Sequence, residues 1–446
     1  MSAWAAAAAA GSVGAVALLS KRLARTPVSG PMVLVAAGLA CGPVGLDLID
    51  ISRDSEAVTL LLEVALVAVL FTDAAGVRWS VLRHDDALSL RLLGLGLPLT
   101  MLLGAIAAWM LLPGFTVWEW ALVAVILAPT DAALGQPAIA DPRVPASVRQ
   151  GLNVESGLND GIALPFFVVL LAASTGDTES VGAAEVFLLA LGLSTAVGLV
   201  VGYLGARLLA WSTAHGWVAD EWRRVPALVF ATLGYVLTVS MDGSGFITAW
   251  VTGLTFGVVW RHTVPPPAAA TAGPESVVGL SEEIGNLLAS LSFFVFGAVL
   301  LGPALSSIDW RTGAYAILSL TVVRMAPVAV ALIGSRYRLA TVLYVGWFGP
   351  RGLASIVFAL LLLEDGPPAA DLLVDVVALT VGLSVALHGA TAAWAAGRYA
   401  GWHATAAAAD PQLREGPAER PQSIPDGVEV PAPASPKDDA GPRVRP

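Results

Sequence analysis

Apolar stretches long enough to cross a lipid bilayer recur along nearly the whole chain, and this repetition restricts the fold more than any other feature. About 20 consecutive apolar residues span the hydrocarbon core as a helix. Thirteen candidate spans can be drawn, at 3–19, 30–47, 57–77, 89–112, 118–141, 150–173, 183–212, 224–240, 243–261, 283–302, 312–334, 339–363 and 371–397. Turns such as Leu112-Pro113-Gly114 and Asp365-Gly366-Pro367-Pro368 separate most of them. Only 13% of the residues carry charge, about half the usual share for a soluble domain. Too few ionisable groups remain to cover a water-facing surface. The expectation is an all-α polytopic membrane protein.

The basic residues test this map. Of the 24 Lys and Arg, fourteen fall in every second loop, counted from the first, or in the span ends that border it. They are Lys21, Arg22, Arg25, Arg78, Arg83, Arg91, Arg143, Arg149, Arg207, Arg223, Arg224, Arg261, Arg336 and Arg338. The intervening loops hold only Arg53 and Arg311. By the positive-inside rule the N-terminus then faces out and the C-terminus faces the cytoplasm of a cell membrane. Met1 to Leu19 lacks a basic leading segment and is read as a first span, not a cleaved signal. The chain divides at about 402: residues 1–402 form the membrane unit, and 403–446, rich in Pro, Ala and charge, read as a disordered cytoplasmic tail. His262 to Ser281, with Pro265-Pro266-Pro267, reads as a flexible cytoplasmic loop.

The single cysteine, Cys41, excludes an internal disulfide and a cysteine-cage metal site, and the five histidines are scattered singly. No cofactor or nucleic-acid partner is expected.

Charges inside apolar spans cost at least about 2.5–3.5 kcal/mol each at the helix centre and so mark function. Five stand out: Asp131, Glu155, Asp160, Arg324 and Arg351. At about 1.5 Å per residue, Asp131, Asp160 and Arg324 lie about 15 Å and Arg351 about 18 Å from a span end, close to the midplane of a core about 30 Å thick. Four separate segments thus bring a charge to one level.

Two of these spans are interrupted. Span five reads Leu127-Ala128-Pro129-Thr130-Asp131, and span twelve reads Phe348-Gly349-Pro350-Arg351-Gly352. A mid-helix proline removes a backbone hydrogen bond and clashes with the preceding turn. Paired interruptions are the best sequence pointer to a transporter binding site. They free carbonyls that can hold a cation and leave half-helix ends of both signs, which Asp131 and Arg351 would compensate. The alternative, a short loop splitting one span into two, would upset the alternation of basic loops. Span six carries Glu155 and Asn159 on one stripe and Ser156 and Asp160 on the next, a polar side more than two turns long. Arg324 requires an anion; Glu155 is the preferred partner, which leaves Asp160 to titrate. Pairing with Asp160 instead is chemically open and would suppress proton binding there.

The runs APTDAALG at 128–135, LNVESGLNDGIALP at 152–165, FFVFGAVL at 293–300, VVRMAP at 322–327 and GWFGPRGLASIVF at 346–358 together resemble the NhaP/NHE branch of the monovalent cation:proton antiporters. The resemblance implies an NhaA/NapA-like fold of thirteen helices built from inverted repeats, with helices five and twelve broken and crossing, in a homodimer. It implies Asp160 as the carboxylate that binds ion and proton. Thr130, Asp131, Ser156 and Asn159 would surround or support it, and Glu155 and Arg324 would form a buried ion pair. The Asn159-Asp160 sequence resembles the electroneutral branch, so one-for-one exchange is implied.

A single buried carboxylate that accepts either a proton or a hard cation gives coupled exchange. Asp160, the Ser156 hydroxyl and Thr130 would supply oxygen ligands to Na⁺. A K⁺/H⁺ exchanger could use the same ligands. An ion channel would require a filter motif, and no TVGYG-like run is present. An intramembrane protease built on Asp131 and Asp160 would leave Arg324 and Arg351 without a purpose. Glu63, Asp73 and His388 are weaker candidates: an interfacial residue, a funnel or capping residue, and a packed neutral histidine.

Overall fold

The computed structural model describes residues 3–23, 26–49, 55–77, 87–131, 133–175, 182–264, 277–410 and 412–416. Among the described residues every regular element is helical. The chain runs through α1 (Ala3–Leu23), α2 (Gly30–Cys41) and α3 (Glu56–Gly76), then α4, made of Ala87–Arg91, a π-helical turn Leu92–Gly96 and Leu97–Leu111. The fifth segment is α5a (Val117–Ile126) and α5b (Gln136–Ile139). Next come α6 (Ala146–Ser174), α7 (Gly182–Ala214), α8 (Val225–Val239) and α9 (Gly245–Thr263). In α10, Gly279–Val295 passes through a π-helical stretch, Phe296–Leu301, into Gly302–Ser306. The last segments are α11a (Trp310–Leu320), α11b (Val322–Ala331), α12a (Leu339–Trp347), α12b (Leu353–Asp365) and α13 (Ala370–Ala409).

Each of the thirteen expected ranges holds at least one helix. Eight described helices are long and apolar enough to cross a membrane on their own, and Gly30–Cys41, Val117–Ile126 and Leu353–Glu364 are shorter apolar helices. Local chemistry sets several starts. Thr116 Oγ1 accepts from Glu119 N at 3.3 Å while Glu119 Oε2 accepts from Thr116 N at 2.6 Å, a reciprocal cap that satisfies two orphan amides of α5a. Asp309 and Thr312 open α11a in the same way.

The helices pack in two groups. In one, α3 lies against α9 and α10, α7 against α8 and α9, and α2 against α10. In the other, α4 packs on α5a and α11, α5a on α6, and α13 on α11a and α12b. The groups meet where α13 packs on α10 and α2, where α6 and α12b touch α3, and where α6 touches α9.

The C-terminal boundary differs from the expected one. α13 runs past 402 to Ala409, and the following segment folds back instead of leaving the protein. Glu415 is fully buried; its Oε1 accepts from Arg338 N at 2.9 Å and Thr341 Oγ1 at 2.6 Å. Its carbonyl accepts from Ser147 Oγ at 2.6 Å. The physical reason is the amide end of α12a, whose first N–H groups have no intrahelical partner and attract a carboxylate. The expected disorder beyond residue 416 lies outside the described residues. So do the centre of the expected loop, 265–276, and Arg25, Arg53, Arg78, Arg83, Arg420, Lys437, Arg443 and Arg445.

Candidate functional site

α5a stops at Ile126 because Pro129 cannot extend its ladder, and α12a stops at Trp347 ahead of Pro350. The two irregular stretches touch: Asp131 N donates to Pro350 O at 2.8 Å. Each then serves the other's orphan groups. Arg351 Nη1 donates to the carbonyls of Ala128 and Pro129, and Ser355 Oγ donates to Ile126 O at 2.7 Å; these are the freed acceptors at the end of α5a. Asp131 Oδ2 accepts from Leu353 N at 3.0 Å, at the start of α12b, and Oδ1 accepts from Ala133 N at 2.8 Å. Compensation therefore runs crosswise, each break capped by the charge of the other. Gly352 permits it, since a Cβ there would fall on Asp131 Oδ2.

α6 passes beside this crossing with its polar side inward. Ser156 Oγ donates to Thr130 O at 2.7 Å, and Asn159 Nδ2 donates to Thr130 Oγ1 at 2.7 Å. Thr130, Asp131, Ser156 and Pro350 line one small cavity with Leu152 and Phe348. Asp160 lies on the same helix with 9% of its surface exposed, and its Oδ1 is buried with no hydrogen-bond partner among the described residues. Asn159 Oδ1 is in the same condition. Asp131 and Asp73 are the carboxylates whose charge reaches Asp160.

Glu155 and Arg324 meet in the interior, each 2% exposed. The contact is bidentate, Nη1 on Oε1 and Nη2 on Oε2, the latter at 2.9 Å. Of the two anions open to Arg324 in the sequence, the structure places Glu155 against it.

Other supports carry no charge and so gave little signal in the sequence. Arg351 N donates to Ser384 Oγ on α13 at 2.7 Å, and that hydroxyl lies 3.1 Å from His388 Nδ1. A serine in an apolar span is common, and only the fold reveals its partner. Glu63 shares a side-chain hydrogen bond with Tyr235, and the charge of Glu364 reaches it.

The arrangement offers one buried carboxylate with an uncommitted oxygen, one helical turn from Ser156 and next to Asn159, both of which hold Thr130 at the helix break. Such oxygens suit a proton or a hard monovalent cation. Among the described residues no cluster of three or more His, Cys, Asp or Glu could hold a resident metal.

Comparisons with known proteins bear on the family and the fold. The family description "Sodium/hydrogen exchanger, transmembrane" matches residues 11–397. A K(+)/H(+) antiporter NhaP2 of Shewanella sp. (strain MR-4) is 25% identical over 390 residues, covering 85% of this chain and 64% of the relative. A K(+)/H(+) antiporter NhaP of Alkalimonas amylolytica is 26% identical over 400 residues, covering 87% and 66%. A Na(+)/H(+) antiporter of Schizosaccharomyces pombe is 24% identical over 259 residues, covering 54% and 53%. The chain thus spans about two thirds or less of these relatives. In fold it is similar to the sodium proton antiporter MjNhaP1 from Methanocaldococcus jannaschii, with a TM-score of 0.71 and 22% identity, covering 89% of this chain and 99% of that one. With the family description matched across nearly all of its helices, the chain belongs to the transmembrane sodium/hydrogen exchanger family and is a multi-pass membrane protein.

Proposed function

We propose that this protein is a secondary antiporter that exchanges protons for Na⁺, one for one, by competition of the two at Asp160. The observation that carries the reading is the uncommitted Asp160 Oδ1, buried beside the crossing of two broken helices. A buried carboxylate without a hydrogen bond costs free energy until a proton or cation joins it. Asp131 has its oxygens on backbone amides, and Glu155 is held by Arg324. Of the three carboxylates singled out inside the spans, Asp160 is the one left free to change partners. Ser156 Oγ and Thr130 O lie at the same crossing as further oxygen ligands. If only the occupied forms turn between the two faces, proton and cation movements are coupled.

K⁺ is the second reading, favoured by the names of the bacterial relatives. The alternation of basic loops supports a cell-membrane protein with its N-terminus outside and C-terminus cytoplasmic, and the resemblance supports a homodimer in lipid. Proteoliposomes loaded with pyranine and pulsed with Na⁺, Li⁺ or K⁺ test all of this chemistry at once. We expect Na⁺ and Li⁺ pulses to drive proton movement that Asp160→Asn abolishes in a folded protein. Exchange by that variant overturns the assignment of Asp160; a response to K⁺ alone overturns the choice of Na⁺.

A further inference from the structure

Trp250 lies on α9, in the group of helices that does not carry the crossing. Its indole sits directly on the backbone of α6 at Gly161, the residue after Asp160: a Cβ on Gly161 would overlap Cδ2, Cε2 and Nε1 of the ring. Around this seat Trp250 and Leu254 of α9 face Val154, Leu158 and Ile162 of α6, with Val77 and Leu93 completing a small apolar cluster. At this contact the two helix groups touch, next to the candidate ion site.

Two polar atoms flank the contact without partners among the described residues: Trp250 Nε1, a donor only, and Asp160 Oδ1. Buried indole N–H groups ordinarily find an acceptor, and an orphan of this kind requires an explanation. A rigid ring pressed on a helix backbone cannot slide aside without opening the gap between the groups.

We propose that Trp250 is a positioning residue of the transport cycle, a removable wall that seals Asp160 on the α9 side while its indole is seated on Gly161. The inference rests on the antiport reading, because a wall matters only if Asp160 must face each side in turn. Gly161 is then a seat whose missing side chain lets the wall close. When α6 moves against α9 the indole lifts, and its N–H and the Asp160 carboxylate gain access to water or ion.

The test uses full-length protein in pyranine-loaded proteoliposomes, with size exclusion and thermal melting as checks on folding. Filling the seat with Gly161→Ala should lower the maximal exchange rate about tenfold or more while leaving the apparent KM for Na⁺ within about twofold, since overpacking opposes closure more than ion binding. Trimming the ring in the double variant Gly161→Ala/Trp250→Leu should restore part of that rate. Trp250→Leu alone should leak, dissipating an imposed pH gradient faster than wild type with no Na⁺ present. If Gly161→Ala does not fold, the leak of Trp250→Leu decides alone. An active wild type with a full-rate Gly161→Ala, or a Trp250→Leu variant as tight as wild type, overturns the wall. An inactive wild type, or an active Asp160→Asn, overturns the antiport reading instead.

Discussion

Replacing Glu155 with Gln removes one charge from the interior and leaves the shape nearly unchanged. Arg324 remains, 2% exposed, and its guanidinium cannot shed its proton. Its two bonds to Glu155 become one neutral contact at best, and Arg324 Nε already lacks a partner among the described residues. Stranding one member of a buried pair costs about 3–5 kcal/mol. A domain of 150–250 residues loses about 2–4 °C of melting temperature per kcal/mol, and a larger one less. For this chain we expect a drop of roughly 3–10 °C, read by differential scanning fluorimetry in detergent at one scan rate. Replacing both members by Met should recover much of that loss, because neutral side chains of similar volume often pack as well as the pair. A melting temperature for Glu155→Gln within about 1 °C of wild type would refute the reasoning, since it would mean that the buried guanidinium has another anion.

Two further outcomes follow from the crossing and the C-terminus. Gly352→Ala drives a methyl group into the Asp131 carboxylate that caps α12b; it should destabilise by about 1–3 kcal/mol and slow exchange, and a wild-type melt and rate would show that the crossing has slack. Glu415→Ala deletes the acceptor for Arg338 N and Thr341 Oγ1. It should free the segment after Ala409 for limited proteolysis while leaving exchange intact, and unchanged protease resistance would contradict the docking.

The membrane class, the order of the segments and the interrupted helices were legible in the sequence because each leaves a local mark: an apolar run, a charge out of place, a proline in mid-helix. Asp131, Glu155, Asp160, Arg324 and Arg351 declared themselves by the cost of burying them. Which charge serves which helix end was not legible, since that depends on two segments crossing more than two hundred residues apart. Asp131 serves its own break through Ala133 N, and also reaches across to Leu353 N. The break in α11 at Thr321, with φ −112 and ψ −91, has no proline or glycine to announce it. The π-helical turns in α4 and α10 each hold a glycine and run into a proline, Pro98 and Pro303, a mark shared by several kinds of helix irregularity. Glu415 was hidden in a tail whose composition reads as disordered, because one docked residue does not alter an average. Trp250 was hidden for the opposite reason: an aromatic residue in an apolar span is ordinary until a glycine is found beneath it.

The crosswise capping of the broken helices has an arithmetic consequence. At ordinary ionisation near neutral pH, Asp131 and Arg351 cancel within the crossing, and Glu155 and Arg324 cancel beside it. Asp160 is the odd charge of the five. On the proposed reading, one proton or one monovalent cation brings these five groups to neutrality, with Asp73, whose charge also reaches Asp160, outside the sum. Within the five, the one-to-one ratio then needs no separate counting device.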